Sequence, residues 1–442
     1  MLNKLISLGK QSPSALVYAL PALLLCLCLQ IQISLFKTDD YLGLRINLAD
    51  LLLPVLGILV FIRLLMRRDN WPQWRVPYTY LWLAGLTALM TVAVINGYHT
   101  TGEWQIWALV NKYVGWFVLL AYFALGGWIA GQKDWDWQPF VIKALCGFWI
   151  VCLLGFCIWM IYLDLQDNSD KIYRNYPLSG FMGNRNAYAL LSCTALAFAT
   201  TFVVRHPLPH YSTLLKIIWV LVPFYYIVNG SRAGLITLAV VILAFCALHF
   251  KFSFKHIILP LLFGSLMAFA FFASHKSYIF DLTHEQIVHT GQIAQLDSIT
   301  TDEAEEKLSY VGDRVRMTTY TDAIALWKRH PLIGGGLGSF RAYQNETGST
   351  YNDIIDFTAL WLLAETGIIG LSAFSIFFLL ALWQVFKRVK SQNDPHGFYM
   401  GLLMTMIIFA IMSLAHELLY TRFLWFLMGL GLAVNNPIPQ RD

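Results

Sequence analysis

Lys255–Ser274 (KHIILPLLFGSLMAFAFFAS) and Phe357–Leu380 (FTALWLLAETGIIGLSAFSIFFLL) are apolar runs separated by about 80 polar residues, roughly Ser274 to Asp356. Each run reaches the ~20 residues that cross a bilayer. The stretch between them is too polar for hydrocarbon and reads as an aqueous loop. A membrane chain with one long aqueous interruption is therefore the first reading. The loop carries Asp313-Arg314-Val315-Arg316 and then Pro331-Leu-Ile-Gly-Gly-Gly-Leu-Gly338.

The rest of the chain agrees. Hydrophobic residues make up 57% and charged residues 13% of the 442. A soluble chain carries about twice that share of charge. The 16 tryptophans suit interfacial belts. The formal net charge of +5 sits in short loops, so it reads as topology and not as nucleic-acid binding. The seven cysteines lie in apolar segments and read as small packing residues, with no disulfide framework or metal spacing. No cleavable leader is expected, because the apolar run after Met1–Pro13 continues for a full span.

The sequence predicts an all-α polytopic membrane protein with about twelve spans. They fall near 15–36, 47–66, 78–96, 106–131, 139–163, 186–204, 213–229, 233–250, 255–274, 357–385, 397–414 and 417–434. This divides the chain into nine spans over 1–274, a loop with short helices over 275–356, and three spans over 357–442. Lys4, Lys10, Arg67, Arg68, Arg75, Lys133, Arg205, Lys216, Lys251, Lys255, Lys387, Arg388 and Lys390 fall in alternate loops. Both termini are then expected in the cytoplasm and the long loop outside, in a bacterium the periplasm. Lys37 and Arg45 are exceptions. Within the loop, 283–307 is compatible with a surface helix. Met317, Tyr320, Ile324 and Trp327 recur at helical spacing, and Pro331 with the glycines ends that helix in a tight turn. Segment 341–355 reads as polar and mobile.

Candidate chemistry gathers at the outer ends of spans. Arg185 stands in Gly183-Asn-Arg-Asn-Ala187 and Arg232 in Asn229-Gly-Ser-Arg-Ala-Gly234. A guanidinium there snorkels, pairs with a carboxylate, or binds an anion such as phosphate through its planar fork. Small neighbours of Arg232 leave room for a ligand. Arg314 and Arg316 are two residues apart and point to different sides of a helix; spacing does not choose between them. Asp356, before the span from Phe357, is either a helix N-cap, in competition with Thr358, or a general base at the membrane surface. His416-Glu417, with Arg422 after it, reads as a structural polar cluster. The glycine run lacks the Gly-Lys-Ser/Thr ending of a nucleotide loop.

In order, these motifs resemble the bacterial O-antigen ligase and polymerase superfamily. The resemblance rests on Gly183-Asn-Arg-Asn, Ser231-Arg-Ala-Gly234, Arg316 four residues before Tyr320, Pro331–Gly336, and Leu360 to Gly367 with its Ala-Glu-x-Gly. It implies a GT-C-like, metal-independent, inverting glycosyltransferase without cofactor, in the bacterial inner membrane. Such an enzyme moves a glycan from undecaprenyl diphosphate to a periplasmic acceptor. Lipid A–core is the first acceptor implied, then a pilin-like protein, with a growing glycan as runner-up. By that likeness Arg232 and Arg316 bind the diphosphate, and Arg185, Arg314 and Tyr320 are further donor-site candidates. The family usually has a histidine nine residues before the glutamate of Ala-Glu-x-Gly; counting back from Glu365 gives Asp356. Either the carboxylate serves as base or the base has moved, with His284, His289 and Tyr320 as the next candidates. A transporter of lipid-linked sugar is the reading from another class. It would favour internal repeats, and the sequence has none.

Overall fold

The computed structural model describes residues 23–24, 26–29, 31–35, 44–65, 71–131, 136–165, 184–274, 317–348, 355–391 and 394–434. These form a bundle of apolar helices: α1 (Leu48–Leu65), α2 (Thr79–Thr101), α3 (Ile106–Ala130), α4 (Gln138–Leu165), α5 (Arg185–Arg205), α6 (Pro209–Asn229), α7 (Arg232–Leu248) and α8 (Phe250–Phe271). After the long loop come α9 (317–329), α10 (Ser339–Thr347), α11 (Thr358–Lys390), α12 (Phe398–Met412) and α13 (Arg422–Leu432). Seven described helices are long and apolar enough to cross a membrane, and three shorter apolar ones accompany them. Large apolar side chains such as Leu81, Leu262, Phe269 and Leu379 face outward, as a hydrocarbon solvent requires. The chain is an all-α polytopic membrane protein in its main architecture.

Helix α5 is the axis of the bundle. In its apolar window 89% of residues are buried. Elsewhere glycine lets backbones meet. A side chain at Gly126 would strike the Phe426 carbonyl, one at Gly429 that of Phe123, and one at Gly264 that of Val220. Where lipid tails compete with side chains, close backbone approach of this kind holds helices together.

Two span boundaries are corrected, and two further segments gain detail. The first span was expected to run to residue 36, but Gln32–Leu35 is a strand, β1, paired antiparallel with β2 (Leu44–Asn47). Polar and apolar residues alternate there, which suits a strand and not a helix. Segment 341–355, expected to be mobile, begins within α10, and 349–354 lies outside the described residues. The span expected from Phe357 is present as α11, with a break at Gly367, which sits at φ 68, ψ −172. The last span was expected from residue 417, but α13 begins at Arg422. The irregular segment 413–421 before it carries much of the site described next.

Candidate functional site

The glycine turn and the break in α11 explain each other. Breaking a helix strands carbonyls and amides that must find other partners. At Gly367 the partners come from the turn: Gly335 and Gly336 donate to the carbonyls of Ala364 and Glu365, at 2.9 and 3.0 Å. In return Ile368 and Ile369 donate to Pro331 and Leu332, at 3.0 and 3.2 Å. Gly334 and Gly336 have positive φ and lie against the backbones of Glu365–Gly367 and Gly97. Asn96 and Leu337 fasten the turn to α2 through the Gly334 and Ala93 carbonyls. Glu365 is buried, and its carboxylate accepts from the Gly338 amide and from Trp361 Nε1. The Ala-Glu-x-Gly motif is thus a strap that holds the loop's end to the bundle.

Beside this strap the N-termini of α5, α7 and α11 converge. Asn184 caps α5, accepting from the amides of Asn186 and Ala187. Ser231 caps α7, accepting from Gly234. Ser231 also donates to Asn186 Oδ1 at 2.6 Å, and Asn229 donates to the Arg185 carbonyl at 3.0 Å, which ties the two helix starts together. Arg185 is thereby set against the 229–232 turn, with its Nη1 beside Gly230. Arg232, the first residue of α7, is exposed. The glycine at 234 is a packing requirement, since a side chain there would meet Ala189 and Tyr226. Two guanidinium groups at helix N-termini make an electropositive corner suited to an anion.

Asp356 lies at the same corner. The N-cap position of α11 is Phe357, whose side chain makes no bond to the helix. Thr358 donates to the His416 carbonyl and accepts from the Leu418 amide, so it pins the 413–421 segment. That places His416 Nδ1 4.0 Å from Asp356 Oδ1 and 3.4 Å from Asn186 Nδ2. Tyr320 of α9 packs edge-on against Phe357, which brings the loop's helix to the same place. Arg314 and Arg316, like His284 and His289, lie outside the described residues.

The expected polar cluster of His416, Glu417 and Arg422 separates into three pairings. Glu417 binds Lys112 at 2.6 Å, and both are largely buried. Arg422 makes a two-pronged bond to Asp50, which Tyr122 also contacts. His416 alone turns to Asp356 and Asn186. Lys112 was missed in the sequence, although a lone lysine six residues into an apolar run is itself a signal. It sits in a π-helical turn, Leu109–Val114, with its Nζ 4.5 Å from the Trp361 ring and 4.7 Å from Tyr420.

Residues 217–375 match the family model Wzy_C, described as O-Antigen ligase. Over that segment the chain is similar to the O-antigen ligase family. The match supports the O-antigen ligase and polymerase superfamily, and with it a membrane-bound, glycosyltransferase-like activity on a lipid-linked glycan. No curated protein matches the chain. The matched segment contains Arg232, Tyr320, the glycine turn, Asp356 and Glu365. The structure completes the corner from outside that segment, with Arg185 and Asn186 from α5, Lys112 from α3, and His416 from the 413–421 segment.

Proposed function

We propose that this protein transfers a glycan from undecaprenyl diphosphate to a periplasmic hydroxyl acceptor, with lipid A–core as the first acceptor. The observation that carries the reading is the corner where Arg185 and Arg232 stand at helix N-termini while the exposed Asp356 is linked to them through His416 and Asn186. A departing diphosphate develops charge that fixed cations offset, and the planar fork of arginine matches its oxygens. Arg232 with Arg316 forms the clamp in this reading, and Arg185, Arg314 and Tyr320 hold the rest of the donor head. Asp356 takes the acceptor's proton from the face of the sugar carbon opposite the diphosphate, which inverts the centre. No metal or cofactor is assigned a role. In this reading the chain has twelve spans and the corner faces the periplasm from the inner membrane. In support, Arg63, Arg75, Arg205, Lys216, Lys251, Lys255, Lys387, Arg388 and Lys390 all lie toward the opposite end of the bundle, as cytoplasmic charges do.

The test is a reconstitution. Purified protein in detergent receives undecaprenyl-diphosphate-linked glycan together with lipid A–core, a pilin-like protein, or no added acceptor. Glycosylated lipid A–core is expected. Product on the protein or a lengthened glycan assigns the acceptor differently, and unchanged donor in all three arms overturns the reading.

A further inference from the structure

We propose that His416 receives the acceptor's proton from Asp356, as the second station of a two-step relay; the inference rests on the glycosyl-transfer reading above. The state of the imidazole is assigned from its neighbours. The Gly234 amide donates to Ser231 Oγ at 3.0 Å, and Ser231 donates its hydroxyl proton to Asn186 Oδ1 at 2.6 Å. With its oxygen turned to Ser231, Asn186 presents its NH₂ to His416 Nδ1. An amide NH₂ only donates, so Nδ1 accepts, and the neutral ring carries its proton on Nε2. The basic lone pair of Nδ1, 4.0 Å from Asp356 Oδ1, is held by the Asn186 NH₂ in the resting site and is released from it when the proton arrives from Asp356. The backbone is held as well: the His416 amide donates to Met412 O, and its carbonyl accepts from Thr358.

Exposure sets the order of the two groups. The Asp356 side chain is 46% exposed and that of His416 only 10%. An acceptor hydroxyl meets the carboxylate first, and the imidazole stands behind it. A carboxylate alone is a weak base at neutral pH, whereas imidazole is matched to it. In the step, the acceptor oxygen bonds to the anomeric carbon as the bond to diphosphate breaks, and the diphosphate leaves with that electron pair. The acceptor's proton moves to Asp356 and then to Nδ1, leaving a carboxylate–imidazolium pair that later loses the proton to water. The 4.0 Å separation is just beyond a direct hydrogen bond and is closed by a small rotation of Asp356 or by one water. His416 acts through Asp356 and is a positioning residue toward the substrate.

Two near-isosteric variants of the full chain, in the reconstitution above, separate proton transfer from architecture. His416→Asn keeps an acceptor for Asn186 Nδ2 but cannot take a proton. It is expected to lower kcat about 100-fold with KM for donor and acceptor unchanged. Asn186→Asp turns the donor facing Nδ1 into an acceptor and so favours a proton already on Nδ1; the same pattern, with at least about a tenfold loss of kcat, is expected. Near-wild-type kcat in either variant overturns the relay and leaves His416 as a hydrogen-bond post, while glycosyl transfer stands. A kcat loss matched by raised KM values also overturns it, because that pattern marks a displaced site. If the wild-type protein transfers nothing, the glycosyl-transfer reading falls and the relay with it.

Discussion

The amide of Gly338 donates a 3.0 Å hydrogen bond to Oε1 of Glu365, across 27 residues of chain. The other carboxylate oxygen accepts from Trp361 Nε1 at 2.8 Å. Replacing Glu365 by leucine leaves two buried donors without a partner, each costing about 1–3 kcal/mol. Glu365→Leu is expected to lower Tm in detergent clearly, and Glu365→Gln by less, since its one oxygen still satisfies one donor. Equal Tm for wild type and the leucine variant would remove the strap from the account.

The Lys112–Glu417 pair makes a similar demand. Both partners are largely buried, and removing one from such a pair typically costs about 3–5 kcal/mol. Lys112→Met alone should be strongly destabilised. Lys112→Met with Glu417→Leu should recover much of the loss, because no lone charge is then buried. Thermal unfolding of the single and double variants checks this; a double variant worse than both singles would contradict it.

Arg232→Lys keeps the charge and loses the fork. Most transfer activity is expected to go, by tenfold or more on the order of a lost charge-assisted bond, while the protein remains folded. Transfer rates with saturating and limiting donor measure it. Near-normal rates would remove Arg232 from the clamp.

Asp356→Asn is expected to fold and bind donor but to transfer about 100-fold more slowly or worse, as loss of a general base does. Position 356 directly precedes the N-cap position of α11, which is Phe357. Full activity would return Asp356 to a supporting role.

Orientation is checked by thiol labelling in intact spheroplasts. Ser298→Cys should react with a membrane-impermeant reagent before lysis and Lys390→Cys only afterwards. The reverse pattern would turn the site to the cytoplasm.

The helices were legible because a 20-residue apolar run has few alternatives in a bilayer. The site was only half legible. Arg185, Arg232 and Asp356 stand in motifs or at polar-to-apolar borders, where sequence points to them. The link from Asp356 to His416 was hidden because 60 residues separate their places in the chain, and periodicity carries no information over such distances. Gly367 was read as a motif residue. That it breaks α11 follows only from the partners supplied by Pro331–Gly336.

The exchange of backbone bonds across that break gives the loop's end and the outer half of α11 a common fate. Ordinary helix amides open by fraying turn by turn, but those of Gly335, Gly336, Ile368 and Ile369 open only when two distant segments separate. Their hydrogen exchange should therefore proceed at one shared rate, slower than that of neighbouring loop amides. Asp356 and Phe357 lie between the two halves of this clasp in sequence, so the corner around Asp356 persists for as long as the clasp stays closed.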